Sequence, residues 1–252
     1  MVPPFLAYYG VDTADMKYLQ EAVRQCQLYD EILHTSIELE NGEICQGLWR
    51  HIVSSPAQLP EGTCCTDPDV WLTSNAWAVA GITRVLAIIL AWHPPRERQI
   101  DRYSYGRFRN SSRGSLSNVL TSMLNCTMSQ SRDSESGLLK NYLDGLSHVS
   151  ADYAFGDTAG SALMASAVYR LALLMPDRFG TPPNLDWADT TRLAVSRRVN
   201  QNGTVRPVAD VSHVPSKMPV DHTSEGQSMV ILMYSAWRDC VIAGVCRESD
   251  GF

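Results

Sequence analysis

Residues 76–92 read AWAVAGITRVLAIILAW, a run that is apolar almost all the way round a helix and is interrupted by little more than Thr83 and Arg84. A membrane span needs about 20 apolar residues. Arg84 near the middle of this run and Asn75 near its start favour another reading, a helix packed on all sides by other helices. The spacing predicts this helix over about Val70–Trp92, with His93-Pro94-Pro95 ending it, because proline cannot continue the hydrogen-bond ladder.

Outward from this helix the same texture recurs. Residues 157–174 (DTAGSALMASAVYRLALL) are nearly all apolar and rich in small side chains that permit close packing, and 225–243 (EGQSMVILMYSAWRDCVIA) form a third heavily apolar helix. Between them lie helices with one wet face. The first has Asp12 as its cap, Met16, Leu19, Val23, Cys26 and Leu33 on the apolar side, and Lys17, Glu21, Arg24 and Asp30 outside. Others are expected from Ser115 to about Met128 and over 185–199 (LDWADTTRLAVSRRV). Short strand-like runs interrupt the series. Residues 37–53 (IELENGEICQGLWRHIV) alternate around Asn41-Gly42, the commonest two-residue hairpin signal. Residues 136–145 (SGLLKNYLDG) read as a short strand or turn, and 200–210 (NQNGTVRPVAD) set another Asn-Gly beside a strand-like run. Buried helices alternating with wet-faced ones, at about 60 residues per pair, give an all-α fold of stacked α-hairpins, an inner ring within an outer one. The stretch at the start, MVPPFLAYYG, reads like the inside of an element rather than a polar lead-in, and it lacks the basic-then-apolar pattern of a signal peptide.

The chain has 252 residues, 44% hydrophobic and 19% charged, which suits one domain over residues 1–252 with a sizeable core. A net charge of −6 argues against nucleic acid or an anionic membrane as a partner. Arg96, Arg98, Arg102, Arg107, Arg109 and Arg113 crowd residues 94–114 with aromatics between them; a solvated connector is favoured there over a nucleic-acid arm. Of seven cysteines, Cys64 and Cys65 are adjacent and none form a CxxC pair. An odd number leaves at least one thiol unpaired, and a metal site is disfavoured. Cys240 and Cys246 are placed either to bridge or to be ordinary buried thiols. Asn110, Asn125 and Asn202 begin glycosylation sequons, a lean toward secretion.

Two segments put polar and aromatic groups where a core helix should be bland. In residues 71–77 (WLTSNAW), Trp71, Asn75 and Trp77 offer two indoles with an amide between them. Sugar C–H faces stack on aromatic rings, and an amide serves neighbouring hydroxyls; the competing role is core-rim packing with Asn75 bonding locally. In 47–53 (GLWRHIV), His51 stands in the hairpin just before that helix, either as a structural or as a site histidine.

GLWRHIV followed by WLTSNAW resembles the paired motif of the unsaturated glucuronyl and rhamnogalacturonyl hydrolases, glycoside hydrolase families 88 and 105, whose forms are approximately G-L-x-x-H-G and W-x-R-G-N-x-W. MVPPFLAYYGV, DTAGSALMASAVYRLALL and EGQSMVILMYSAWRD are similar to the fungal branch of family 105. The likeness runs along most of the chain and is weak across the Arg-rich segment. It implies an (α/α)6 toroid of the six-hairpin type, here incomplete at about four hairpins. It implies a secreted hydrolase that acts on pectin-derived rhamnogalacturonan oligosaccharides, removing a 4,5-unsaturated uronic acid from their non-reducing end. One Asp of such enzymes protonates the vinyl-ether double bond and assists water addition, with no metal or organic cofactor. In the family that Asp stands a few residues before the counterpart of MVPPFL, so the chain reads as the C-terminal two-thirds of a member. Self-association through an open barrel face is then expected. Carried across, His51, Trp71, Thr73, Asn75 and Trp77 line the sugar pocket, with Thr73 standing where the family has the Arg that pairs with the uronate. Asp157 and Glu225 begin apolar helices and are either carboxylates at the barrel mouth or first-turn acids complementing a helix dipole. The alternative is a non-catalytic or repurposed relative of the same barrel.

Overall fold

The computed structural model describes residues 2–53, 67–95, 100–144, 155–212 and 218–248. Its helices are α1 (Val2–Asp12), α2 (Met16–Leu33), α3 (Leu72–Ala91), α4 (Arg102–Met128), α5 (Thr158–Leu174), the single turn α6 (Pro176–Phe179), α7 (Pro182–Ser196) and α8 (Ser224–Ile242). Its strands are β1 (His34–Glu38), β2 (Ile44–Trp49), β3 (Val208–Ala209) and β4 (Pro219–Val220), paired as two antiparallel two-stranded ribbons.

Helices α1, α3, α5 and α8 pack side by side in that order as an inner row, while α2, α4 and α7 lie outside them, α2 on α1 and α3, α4 on α3, and α7 on α5 and α8. This is the alternation of buried and wet-faced helices expected above, an arc of an (α/α)6 toroid. The inner row owes its closeness to α5, which buries every residue from Thr158 to Tyr169, seven of them Ala, Gly or Ser. Helix α3 is long and apolar enough to cross a membrane by length and composition, with mean hydropathy 1.5. In this fold its apolar face meets α1, α4 and α5 instead.

The local rules account for most element ends. Pro3 and Pro4 occupy the first turn of α1, where the missing N–H has no intrahelical acceptor to lose. Asp12 is the last residue of α1 rather than a cap; the chain turns through Ala14 (φ 53°), and Asp15 caps α2 by accepting the Lys17 N–H at 2.9 Å. Asp101 caps α4 by accepting the N–H groups of Tyr103 and Ser104. The Arg-rich segment expected as a connector is therefore helical from Arg102 onward. Its buried stripe, Tyr105, Ser112 and Leu116, is easily overlooked among the arginines. Tyr105 anchors that stripe by donating its hydroxyl to the Ile89 carbonyl at 2.8 Å and meeting Trp92 edge-on.

The hairpin forms where Asn41-Gly42 predicts it, with Gly42 at φ +83°. Gly47, at φ +119°, lets β2 lie flat on α4: a Cβ there would stand 2.7 Å from the backbone of Ser122. A Cys45–Cys126 disulfide, with Cα atoms 5.3 Å apart across 81 residues of sequence, ties the same two elements. Cys240 and Cys246 are bridged at the C-terminal end of α8, and Cys26 is a buried free thiol. Cys64 and Cys65 lie outside the described residues. Asn110, Asn125 and Asn202 are all exposed.

Candidate functional site

At one end of the inner row the chain leaves β2 and runs antiparallel to residues 67–69. His51 N–H donates to the Asp69 carbonyl at 3.0 Å, and Ile52 N–H to the Asp67 carbonyl at 2.7 Å. That pairing aims His51 into a cleft of about 190 Å³ between α1, α2, β2 and α3, with Tyr29, Trp49, Arg50, Ser74 and Trp77 also on its walls. The volume is below the roughly 300–1,000 Å³ of a pocket for a drug-sized ligand, so the cleft suits a single ring.

Two of the expected site residues face this cleft, and each is braced from behind. His51 Nδ1 lies 2.9 Å from Oδ2 of Asp67, which is itself buried and also accepts the Tyr142 hydroxyl at 2.6 Å. A carboxylate on Nδ1 places a ring proton there, which leaves Nε2 as the nitrogen open to a ligand. Trp77 donates its indole N–H to Oε1 of Glu225, the first-turn acid of α8, at 2.5 Å. Glu225 therefore fixes the tilt of the Trp77 ring across the gap between α3 and α8.

The other expected residues stand behind the cleft. Trp71 packs its ring 4.6 Å from that of His51 and donates its indole N–H to Oδ1 of Asn141 at 2.8 Å. Asn75 is fully buried with its amide committed: it accepts the Trp49 N–H at 2.8 Å and donates to the Trp49 carbonyl at 2.8 Å and the Trp71 carbonyl at 3.0 Å. Thr73 is buried too and donates its hydroxyl to Oδ2 of Asp157 at 2.8 Å. Asp157 caps α5, and its two oxygens also take the N–H groups of Ala159, Gly160 and Ala209. Burial holds its carboxyl above the ordinary range against these stabilising bonds. Asp157 is thus a buried joint between α3, α5 and β3, away from the cleft.

Tyr29, Trp49, Arg50, Ser74 and Asp67 are wall or bracing residues that the sequence reading did not single out. Trp49 and Arg50 were visible inside GLWRHIV, but adjacency in a strand says nothing of which side is walled in. Cys26 also borders the cleft, where burial pushes its thiol up to about 12, so it stays a protonated, inert packing group. Among the described residues no carboxylate lines the cleft, and none group as a metal site.

No protein-family model matches the sequence, and no curated relative does. Solved structures do. One, described as a possible member of GH105 family from Salmonella enterica serovar Paratyphi A, superimposes with TM-score 0.65 at 18% identity, over 93% of this chain and 53% of its own. A possible GH105 member from Klebsiella pneumoniae gives TM-score 0.61 at 17% identity, over 92% and 52%. A family 105 glycoside hydrolase from C. acetobutylicum gives TM-score 0.65 at 14% identity, over 94% and 62%. The chain spans a little over half the length of these structures and shares with them the all-α, six-hairpin toroid fold.

Proposed function

We propose that this chain belongs with the family 105 glycoside hydrolases and carries the sugar-holding part of a hydrolase that removes a 4,5-unsaturated uronic acid from pectin-derived oligosaccharides. The observation that supports this most is the braced pair at the cleft. The indole of Trp77 is locked by Glu225, and the imidazole of His51 is locked by Asp67, in a fold whose solved neighbours bear that family's name. A flat indole takes the C–H face of a pyranose, and a histidine ring nitrogen takes a hydroxyl. Neither ring has to reorganise when the sugar arrives, which lowers the ordering cost of binding.

Vinyl-ether hydration needs a carboxyl group that delivers a proton to the double bond and then assists water. Glu225 is occupied by Trp77 and Asp157 by Thr73 and three backbone N–H groups. With no carboxylate on the cleft among the described residues, the chain by itself is expected to bind the sugar and turn it over slowly or not at all. That observation also favours a second reading, a sugar-binding relative without catalysis. The test is incubation of the chain with an unsaturated rhamnogalacturonan disaccharide while following the ultraviolet absorbance of the conjugated uronate. Binding without loss of absorbance is expected. Turnover at ordinary enzyme rates would show that a carboxylate of this chain does reach the sugar.

A further inference from the structure

We infer that Arg50 is the residue through which this cleft selects an acidic sugar. The inference rests on the carbohydrate reading above and adds to it the group that reads the charge. Thr73, where the sequence resemblance expects an arginine for the uronate, is buried and donates into Asp157, so nothing cationic comes from that position. Arg50 stands elsewhere, at the end of β2 next to His51, and lines the same cleft as Trp77 and Tyr29. Its backbone N–H is used, donating to the Leu33 carbonyl at 2.9 Å. Its guanidinium makes no ion pair or hydrogen bond among the described residues, unlike Arg24, Arg170, Arg192 and Arg238, each held by an Asp or Glu.

Charge on the wall points the same way. The chain carries −6 overall, yet among the described residues Arg50 brings a formal charge to the cleft and no carboxylate lines it. The carboxylates nearby are turned to other partners: Asp30 accepts the Trp49 indole N–H at 2.8 Å, and Asp67 accepts from Tyr142 and pairs with His51. A pyranose stacked on Trp77 with its ring carboxylate toward Arg50 meets a planar fork that matches a carboxylate's two oxygens. A neutral sugar of the same shape finds the same aromatic face and no such partner.

The experiment is a tryptophan-fluorescence titration of the full chain, since Trp49 and Trp77 both border the cleft. The probes are the unsaturated galacturonyl-rhamnose disaccharide and its carboxyl-reduced counterpart. The wild-type chain is expected to prefer the acid about tenfold, with the preference shrinking as salt is raised. Arg50→Gln should bind both sugars as weakly as wild type binds the reduced one, and Arg50→Lys should keep part of the preference. Arg50 is exposed, so both variants should melt with the wild type. Equal binding of both sugars by wild type, or an undiminished acid preference in Arg50→Gln, would overturn the role of Arg50 while leaving the carbohydrate reading in place. If neither sugar binds wild type, the carbohydrate reading falls and the role of Arg50 falls with it.

Discussion

Replacing Asn75 by alanine separates its two candidate duties, holding a sugar and holding the fold. In the structure its amide bridges α3 to the end of β2 through both backbone groups of Trp49 and is fully buried. Asn75→Ala would orphan the Trp49 N–H and C=O where water does not reach. Each buried unsatisfied group costs about 1–3 kcal/mol, so the pair amounts to about 2–6 kcal/mol. For a chain with stability in the usual range of about 5–15 kcal/mol, that is a large fraction. In urea the unfolding midpoint should fall with little change in slope, because the surface exposed on unfolding is nearly the same. Sugar binding, measured where the variant is still folded, should weaken only as far as Trp49 and His51 drift from their places. An Asn75→Ala chain as stable as wild type that had lost sugar binding would refute this. The amide would then have been serving the ligand.

Other outcomes follow from the same structure. Changing Cys45 and Cys126 to serine opens a loop of 81 residues, and the chain-entropy cost of that opening is about 4–5 kcal/mol, measurable as a lower denaturant midpoint. Asp144 has one oxygen on the Val70 N–H and the other buried without a partner among the described residues, and burial, with Asp69 and Asp67 nearby, raises its carboxyl above the ordinary range. The folded state therefore holds that proton longer than the unfolded one, and stability falls as pH rises through and beyond the ordinary carboxylate range. Asp144→Asn should lose this decline, so that the variant gains on wild type as pH rises through the ordinary carboxylate range and above it; parallel pH–stability curves would contradict it. Finally, Val2, Phe5 and Tyr8 of α1 and Ile231 and Ile242 of α8 are more than half exposed, at the two ends of the inner row. The chain should self-associate through them in light scattering, and Phe5→Ser with Ile231→Ser should reduce that association.

The fold was legible because its decisive signals are local. A helix apolar all round has to be an inner one, an Asn-Gly pair between alternating runs has to turn, and a small-residue helix such as α5 has to lie close to its neighbours. The first half of α4 was obscured because its arginines outnumber the few residues of its buried stripe. The Cys45–Cys126 pairing has no local signature, since only the seating of β2 on α4 brings the two together. At the site, the residue types in WLTSNAW drew attention to the right place, but the direction of each side chain depends on what packs against the first turn of α3. Trp77 meets α8 and the cleft, whereas Thr73 meets Asp157 and Asn75 meets Trp49. Asp67, which orients His51, comes from a segment whose approach only the tertiary pairing of 51–52 with 67–69 supplies.

The central claim is that Trp77 and His51, held by Glu225 and Asp67, form one sugar-binding cleft. A crystal structure of the chain soaked with the unsaturated disaccharide tests it most directly. The expected result is a pyranose lying on the Trp77 indole within hydrogen-bond reach of His51 Nε2. A saturating soak that leaves this cleft empty, or seats the sugar elsewhere on the arc, would contradict the account.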